Sequence, residues 1–180
     1  MELRKLDIKD APLMLEWMHN KDVTLHMNRD FSKLSLEDCE NFIKNSLADE
    51  NNVHFAIVDE TDEYLGTISL KNIDNINKNA EFGITIREKA MGKGISSEAM
   101  KAIIAYGFEK LGLTSIYWCV SSENARAVRF YDKNGYARVK YEELNVVTDY
   151  SQELIDKFIW YCVKREVLQK VLTVTGEIKD

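Results

Sequence analysis

A single proline, Pro12, in a chain of 180 residues leaves no Pro-rich spacer, and the eight glycines are not gathered with serine into a flexible tract. With no such joint the chain reads as one domain, and 45% hydrophobic residues are enough to bury a sizeable core. Cysteine is scarce as well. Cys39, Cys119 and Cys162 are far apart, odd in number and without a C-x-x-C pair, which argues against a disulfide framework or a zinc knuckle and suits a reducing cytoplasm. His19 and His26 have no partners at metal-ligand spacing and H-E-x-x-H does not occur, so no metal is expected. No stretch approaches the ~18 apolar residues of a membrane helix, and the N-terminus Met-Glu-Leu-Arg-Lys-Leu-Asp has no apolar signal core. Nor is there a basic stripe with interleaved aromatics. Neither a membrane nor a nucleic acid is therefore an expected partner, and a cytoplasmic location is.

Charge is unevenly spread. Residues 1–70 hold 15 Asp and Glu against 7 Lys and Arg, whereas residues 71–180 hold 15 against 17. An acidic first half would steer a cationic acceptor, although such an excess is as well explained by a solvated surface.

The most informative segment is Arg87-Glu-Lys-Ala-Met-Gly-Lys-Gly-Ile95. It follows an alternating strand, Asn79 to Ile86, and runs into a helix beginning near Ser96. A strand that stops at two close glycines and restarts as a helix aims free main-chain N–H groups at one point, where the helix dipole favours an anion. Gly92 and Gly94 can take positive φ and admit a phosphate close to the main chain. Arg87, Lys89 and Lys93 can add charge-assisted bonds. A Walker loop is excluded, because Lys93 is followed by Gly94 and Arg87 stands five before Gly92. A dinucleotide fingerprint would need a third glycine at Ser97 and a parallel βαβ unit.

Lys89-Ala-Met-Gly92-Lys-Gly94 resembles the Q/R-x-x-G-x-G/A acetyl-CoA loop of the GNAT N-acetyltransferases, with lysine in the first place. About thirty residues on, Glu123-Asn124-Ala-Arg-Ala-Val-Arg-Phe-Tyr131-Asp-Lys-Asn-Gly135-Tyr136 resembles that family's Asn…Tyr-x-Lys-x-Gly-Phe helix and exit turn. The resemblance covers residues 1–166, taken as the domain with 167–180 as a tail, and is nearest the RimJ/RimL-like branch. It implies an α+β fold: a mixed, mostly antiparallel sheet splayed into a V and flanked by helices. It also implies acetyl-CoA as cosubstrate. The main chain of Thr85 and Ile86 would bond the pantetheine amides as another strand would. The pyrophosphate would rest on Gly92, Lys93, Gly94, Ile95 and Ser96.

Asn124, Val128 and Tyr131 stand at i, i+4 and i+7 and share one helix face over roughly 10.5 Å. Asn124 suits a helix N-cap, with or without a contact to the pantetheine. Tyr131 matches the family's tyrosine, whose phenol serves the leaving thiolate as general acid or hydrogen-bond donor; the plain alternative is a core tyrosine. For the base, Glu81 in Ala-Glu-Phe-Gly resembles a RimJ/RimL-like element in which a glutamate faces the acceptor. A solvent-facing carboxylate, His54 and water remain alternatives.

The helical patterns cover Asp10 to Asn20 with Asp10 as cap, Ser35 to about Leu47 behind a capping box, Ser96 to Lys110, and Asn124 to Asn134. The strand patterns cover residues 2–6, 53–59, 64–71, 79–86, 115–120, 137–144 and 158–163, and Lys21 to Leu34 reads as a loop suited to choosing an acceptor. The acceptor itself stays open among a protein N-terminus, a polyamine such as spermidine, and a nucleotide-linked amino sugar. A non-catalytic acyl-CoA-binding module and a purely structural domain are the competing classes. The last strand or the tail could close a homodimer, or Val167, Leu168, Val171 and Leu172 could pack on their own domain.

Overall fold

The computed structural model describes residues 1–166. Seven strands form one sheet: β1 (Glu2–Lys5), β2 (Val53–Val58), β3 (Tyr64–Asp74), β4 (Asn79–Ile86), β5 (Ser115–Ser121), β6 (Ala137–Val139) and β7 (Phe158–Lys164), in the spatial order β1-β2-β3-β4-β5-β7-β6. Short turns join β2, β3 and β4, so they pair antiparallel, as do β5 with β7 and β6 with β7. The β4–β5 junction is parallel, because a helix carries the chain across the sheet between them.

That parallel junction is short. Asn79, Ala80 and Glu81 pair with Ser115, Ile116 and Tyr117, and the pairing ends there. Phe82 to Ile86 stay paired with β3 while Trp118 to Ser121 follow β7, so the two halves of the sheet part beyond Glu81. This is the V that the resemblance implied.

Helices cover both faces. α1 (Ala11–Met18) and α3 (Leu36–Ser46) lie on one, where Met14, Trp17, Cys39 and Ile43 meet Ala56 and Val58 of β2. α4 (Ile95–Glu109) lies on the other, and its expected apolar side, Met100, Ile103, Ile104 and Phe108, is buried against Ile57, Ile68 and Leu70. Two short helices, α2 (Lys21–Thr24) and α6 (Gln152–Lys157), interrupt segments that read as loop, while α5 (Ala125–Lys133) sits where its pattern put it. The Ser35 and Asp38 capping box forms as expected. No helix among the described residues is long and apolar enough to cross a membrane.

Two local readings need correction. Asp10 makes no side-chain cap to α1. Asp7 caps a preceding 3-10 turn, and the Asp10 carboxylate accepts from the Asp7 N–H (2.9 Å) and from both terminal nitrogens of Arg4 (2.7 and 2.8 Å). The stretch 137–144 is a strand only to Val139. It then turns through a 3-10 segment, Tyr141–Glu143, because β6 is an edge strand with one partner.

One glycine joins the fold to the V. A Cβ on Gly66 of β3 would lie 2.2 Å from the Thr85 carbonyl oxygen and 3.0 Å from the Ile86 Cα, so β4 can lie this close only if residue 66 has no side chain. Gly66→Ala is expected to cost ~1–3 kcal/mol, read from denaturant unfolding, and to weaken acetyl-CoA binding because the strain falls on the free end of β4. An unchanged midpoint would show that β4 yields without cost.

Candidate active site

The glycine loop forms a cradle. After β4 the chain makes one 3-10 turn, Glu88–Ala90, and then passes Gly92 and Gly94 at φ of 77° and 79°. These angles favour glycine, and a Cβ at either position would meet nothing within 4 Å, so the space over the main chain is open. Gly94 opens α4 as a left-handed N-cap without a side-chain bond, and its carbonyl accepts from the N–H groups of Ser97 and Glu98. The main-chain N–H groups of Lys93, Gly94, Ile95 and Ser96 make no hydrogen bond among the described residues. Open space and free donors at a helix N-terminus fit a diphosphate. Lys93 is exposed beside them.

Two of the expected basic partners are turned elsewhere. The Arg87 guanidinium is buried, at 4% exposure, and donates to both oxygens of Glu16 (3.0 and 2.8 Å), to Glu63 (2.9 Å) and to the Tyr64 carbonyl (2.9 Å). Lys89 also binds Glu63. Arg87 thus fastens the loop's first residue to α1 and β3, and the structure does not bring its guanidinium to the cradle. Another cation stands there instead: Arg126 of α5 lies against Met91 in the loop, with the guanidinium 2.8 Å from Sδ. Sequence reasoning passed over Arg126 because only its helix position, opposite a loop 35 residues earlier, marks it.

The free edge of β4 leads from the cradle to the apex of the V. The Arg87 N–H donates to Leu65 O (2.8 Å), and alternation along the antiparallel pair turns the main-chain groups of Thr85 toward β3 and those of Ile84 and Ile86 toward the gap. Of the two expected residues the structure turns the main chain of Ile86 to the gap and that of Thr85 to β3, and Ile84, which also faces the gap, was missed because its pairing pattern depends on register.

Glu81 stands at the apex as the last β4 residue paired with β5. It is 6% exposed and faces the same side of the sheet as the cross-strand neighbours Lys71, Ser69 and Thr67. Its carboxylate accepts from Lys71 Nζ (3.2 Å), Asn72 Nδ2 (3.0 Å) and the Tyr150 hydroxyl (3.1 Å). Asn72 reaches it from a bulge in β3 at φ of 51°. Burial, and secondarily the Glu81 charge, keeps the Tyr150 phenol protonated and pushes the Cys119 thiol up to about 12. Neither Asn72 nor Tyr150 shows a signal in the sequence, since their link to Glu81 is made by the bulge and by a contact 69 residues long.

Tyr131 is 7% exposed and packs against Trp118, Tyr161 and Phe130, with ring centroids 5.1–5.3 Å apart. Its hydroxyl makes no hydrogen bond among the described residues and is not one of the fully buried unpaired polar atoms, so it keeps some contact with solvent. Burial first, then Tyr161, Cys119 and Tyr136, holds the phenol well above its ordinary value, and it carries its proton at neutral pH. The neighbouring Trp118 is the first β5 residue beyond the split, and its indole Nε1 is buried without a partner. Asn124 caps α5 by accepting from the Ala127 N–H (3.1 Å).

On the Glu81 side of the sheet a cleft of about 580 Å³ opens between β2–β4, α1, α3 and the segment after α2. His54 lines it with Nδ1 2.7 Å from Ser69 Oγ and its ring edge-on to Phe42. Burial holds the His54 pKa below its ordinary value; Asp49 opposes this and Lys71 adds to it. No cluster of metal-ligating side chains occurs among the described residues.

Residues 1–137 match the model of the acetyltransferase (GNAT) domain. The chain is 31% identical over 172 residues to a Bacillus licheniformis protein named Uncharacterized N-acetyltransferase p20, covering 92% of this chain and 94% of that one. It is 29% identical over 142 residues to the spermidine N(1)-acetyltransferase of Escherichia coli K12, covering 76% and 73%. Its fold is similar to that of the spermidine N-acetyltransferase from Vibrio cholerae in complex with CoA and spermine. There the TM-score is 0.76 at 23% identity, with 92% of this chain and 95% of that one covered. A cradle of free amides, an opened parallel junction and a family match over three quarters of the chain agree: this protein belongs to the GNAT acetyltransferase family and is an acetyl-CoA-dependent N-acetyltransferase.

Proposed function

We propose that the protein moves the acetyl group to a primary amine by direct attack in a ternary complex, with Glu81 and Tyr131 serving the amine and the thiolate. The observation that carries this reading is the coincidence of the split with Glu81: the sheet opens at a residue whose buried carboxylate lies on the cleft's side of the sheet and is bonded to Lys71 of the cleft wall. Acetyl-CoA supplies an activated acyl group as a thioester. Lys93, Gly94, Ile95 and Ser96 would hold its diphosphate through main-chain N–H groups, with Arg126 beside them, and Ile84 and Ile86 would pair with its arm. Asn124 stays a cap, with its amide nitrogen left for the arm.

An amine arrives as an ammonium and attacks only after losing a proton. Glu81, whose carboxylate accepts from three donors, would collect that proton directly or through water. The Tyr131 phenol, protonated and unpartnered, gives its proton to the departing sulfur. One observation favours a second base: His54 lies on the cleft wall and is kept neutral by burial. The Ala80-Glu81-Phe82-Gly83 element supports membership of the RimJ/RimL-like branch, and the free cysteines suit the cytoplasm. The homodimer read from the sequence stays part of the proposal; the tail residues Val167 to Leu172 lie outside the described residues. Tyr131 and Glu81 are both present and poised, which favours an enzyme over a binding module that would need neither.

Tyr131→Phe is expected to lower kcat ~100-fold or more with little change in acetyl-CoA affinity, measured by release of free CoA thiol; unchanged turnover would remove the acid from the mechanism. Glu81→Gln should lower kcat to a similar degree, while His54→Gln should keep the acid limb of the kcat/KM profile. If that limb instead vanishes with His54, the base is the histidine. Gly94→Ala puts a Cβ where φ is 79°, at ~1–2 kcal/mol of strain, and should raise the KM for acetyl-CoA about tenfold with kcat nearly unchanged.

A further inference from the structure

We infer that the acceptor is a single primary amine carried on an apolar, aromatic-sized body, and that this cleft selects against polyamines. The inference rests on the proposed transfer reaction only in taking the cleft as the acceptor's place. Its walls are soft and apolar: Met14, Trp17, Met18, Met27, Phe31 and Phe42. Trp17 and Phe31 meet edge to face at 5.5 Å, and Phe42 meets His54 at 5.0 Å, which gives a flat body rings on two sides.

The charges point the same way. Among the described lining residues the carboxylate is Asp38 and the cations are Arg29 and Lys71. Asp38 is committed at one oxygen to its capping box, accepting from the Ser35 N–H and hydroxyl, both at 2.7 Å. Lys71, on the cleft wall, has its Nζ 3.2 Å from the Glu81 carboxylate and so is already paired. Arg29 lies over the Phe31 ring at 5.4 Å and makes no ion pair among the described residues, so one aromatic face able to take an ammonium already carries a guanidinium. A polyamine would bring several ammonium groups past Arg29 and Lys71, with Asp38 the one carboxylate on the described wall and the apex carboxylate already paired with Lys71, and each desolvated charge without a partner opposes binding. A monoamine needs a polar partner only at its reacting end, where Ser69 and Thr67 line the wall on the same face of the sheet as the apex carboxylate.

The apolar wall and the cationic lip are thus one specificity device: the first rewards a hydrophobic body and the second repels a second positive charge. Arg29 also lines the smaller adjoining cleft with His19, Lys21 and Asp30, so the lip there holds two cations against one carboxylate.

Calorimetric titration of the full-length protein, loaded with CoA so that no turnover occurs, tests the cleft apart from the chemistry. 2-Phenylethylamine is expected to bind at least ~10-fold more tightly than spermidine. Phe42→Ala, at a ring 36% exposed and so tolerant of change, should weaken phenylethylamine and leave CoA affinity unaltered. Arg29→Glu, at an exposed residue, should raise spermidine affinity and narrow the gap. Spermidine binding as tightly as phenylethylamine in the unmodified protein, or neither amine binding, would overturn the inference. Thiol release with acetyl-CoA is read separately: phenylethylamine that binds but is not acetylated would count against the transfer reaction and leave the selectivity standing.

Discussion

Main-chain hydrogen bonding governs this molecule through one interruption. A buried strand must have its N–H and C=O groups paired, yet β4 loses its β5 partner after Glu81 while it is still bonded to β3 on its other side. The chain wedges the gap with rings: Trp118 stacks on Tyr161 at an interplanar angle of 10°, meets Phe82 edge-on, and carries Tyr131 beside it. The groups proposed to act are arranged around that opening, with the cradle at the far end of the free edge, the carboxylate at its apex and the phenol beside the β5 wall.

What could be read from the sequence was local. Gly92 and Gly94 announce the cradle because φ is a property of single residues, and the capping box of Ser35 and Asp38 spans one turn. β4 and the buried side of α4 followed from periodicity, which needs only neighbours. What failed was long-range or marginal. Arg87 looked like a phosphate ligand until Glu16, 71 residues away, and Glu63 took its guanidinium. α6 is six residues long, too short for a periodic signal, and Asp10 was misread because Arg4, on the strand before it, offered its carboxylate a buried ion pair. The V itself was supplied by family resemblance, since nothing in the residues 79–86 says where a parallel partner will leave.

The acidic first half now has a different account. Glu16 and Glu63 neutralise Arg87 and Lys89, while Asp10 and Asp62 bind Arg4, and Asp62 also Lys9. Much of the excess therefore holds the start of the cradle loop and the N-terminal strand in place. It is not arranged as a field over the cleft, whose lining carries more positive than negative side chains. Charge counted by segment and charge present at a site are different quantities, and here they have opposite signs.

The seam between the two halves of the sheet is three residues of parallel pairing on each strand. On one side lie β1–β4, on the other β5–β7, so the backbone ladder offers little resistance to a small relative rotation of the halves. A molecule lying along the free edge of β4 would lengthen that ladder and brace the halves against each other. The cosubstrate would then act as a removable rib of the sheet, and its departure would return the protein to its more pliant form after each turnover.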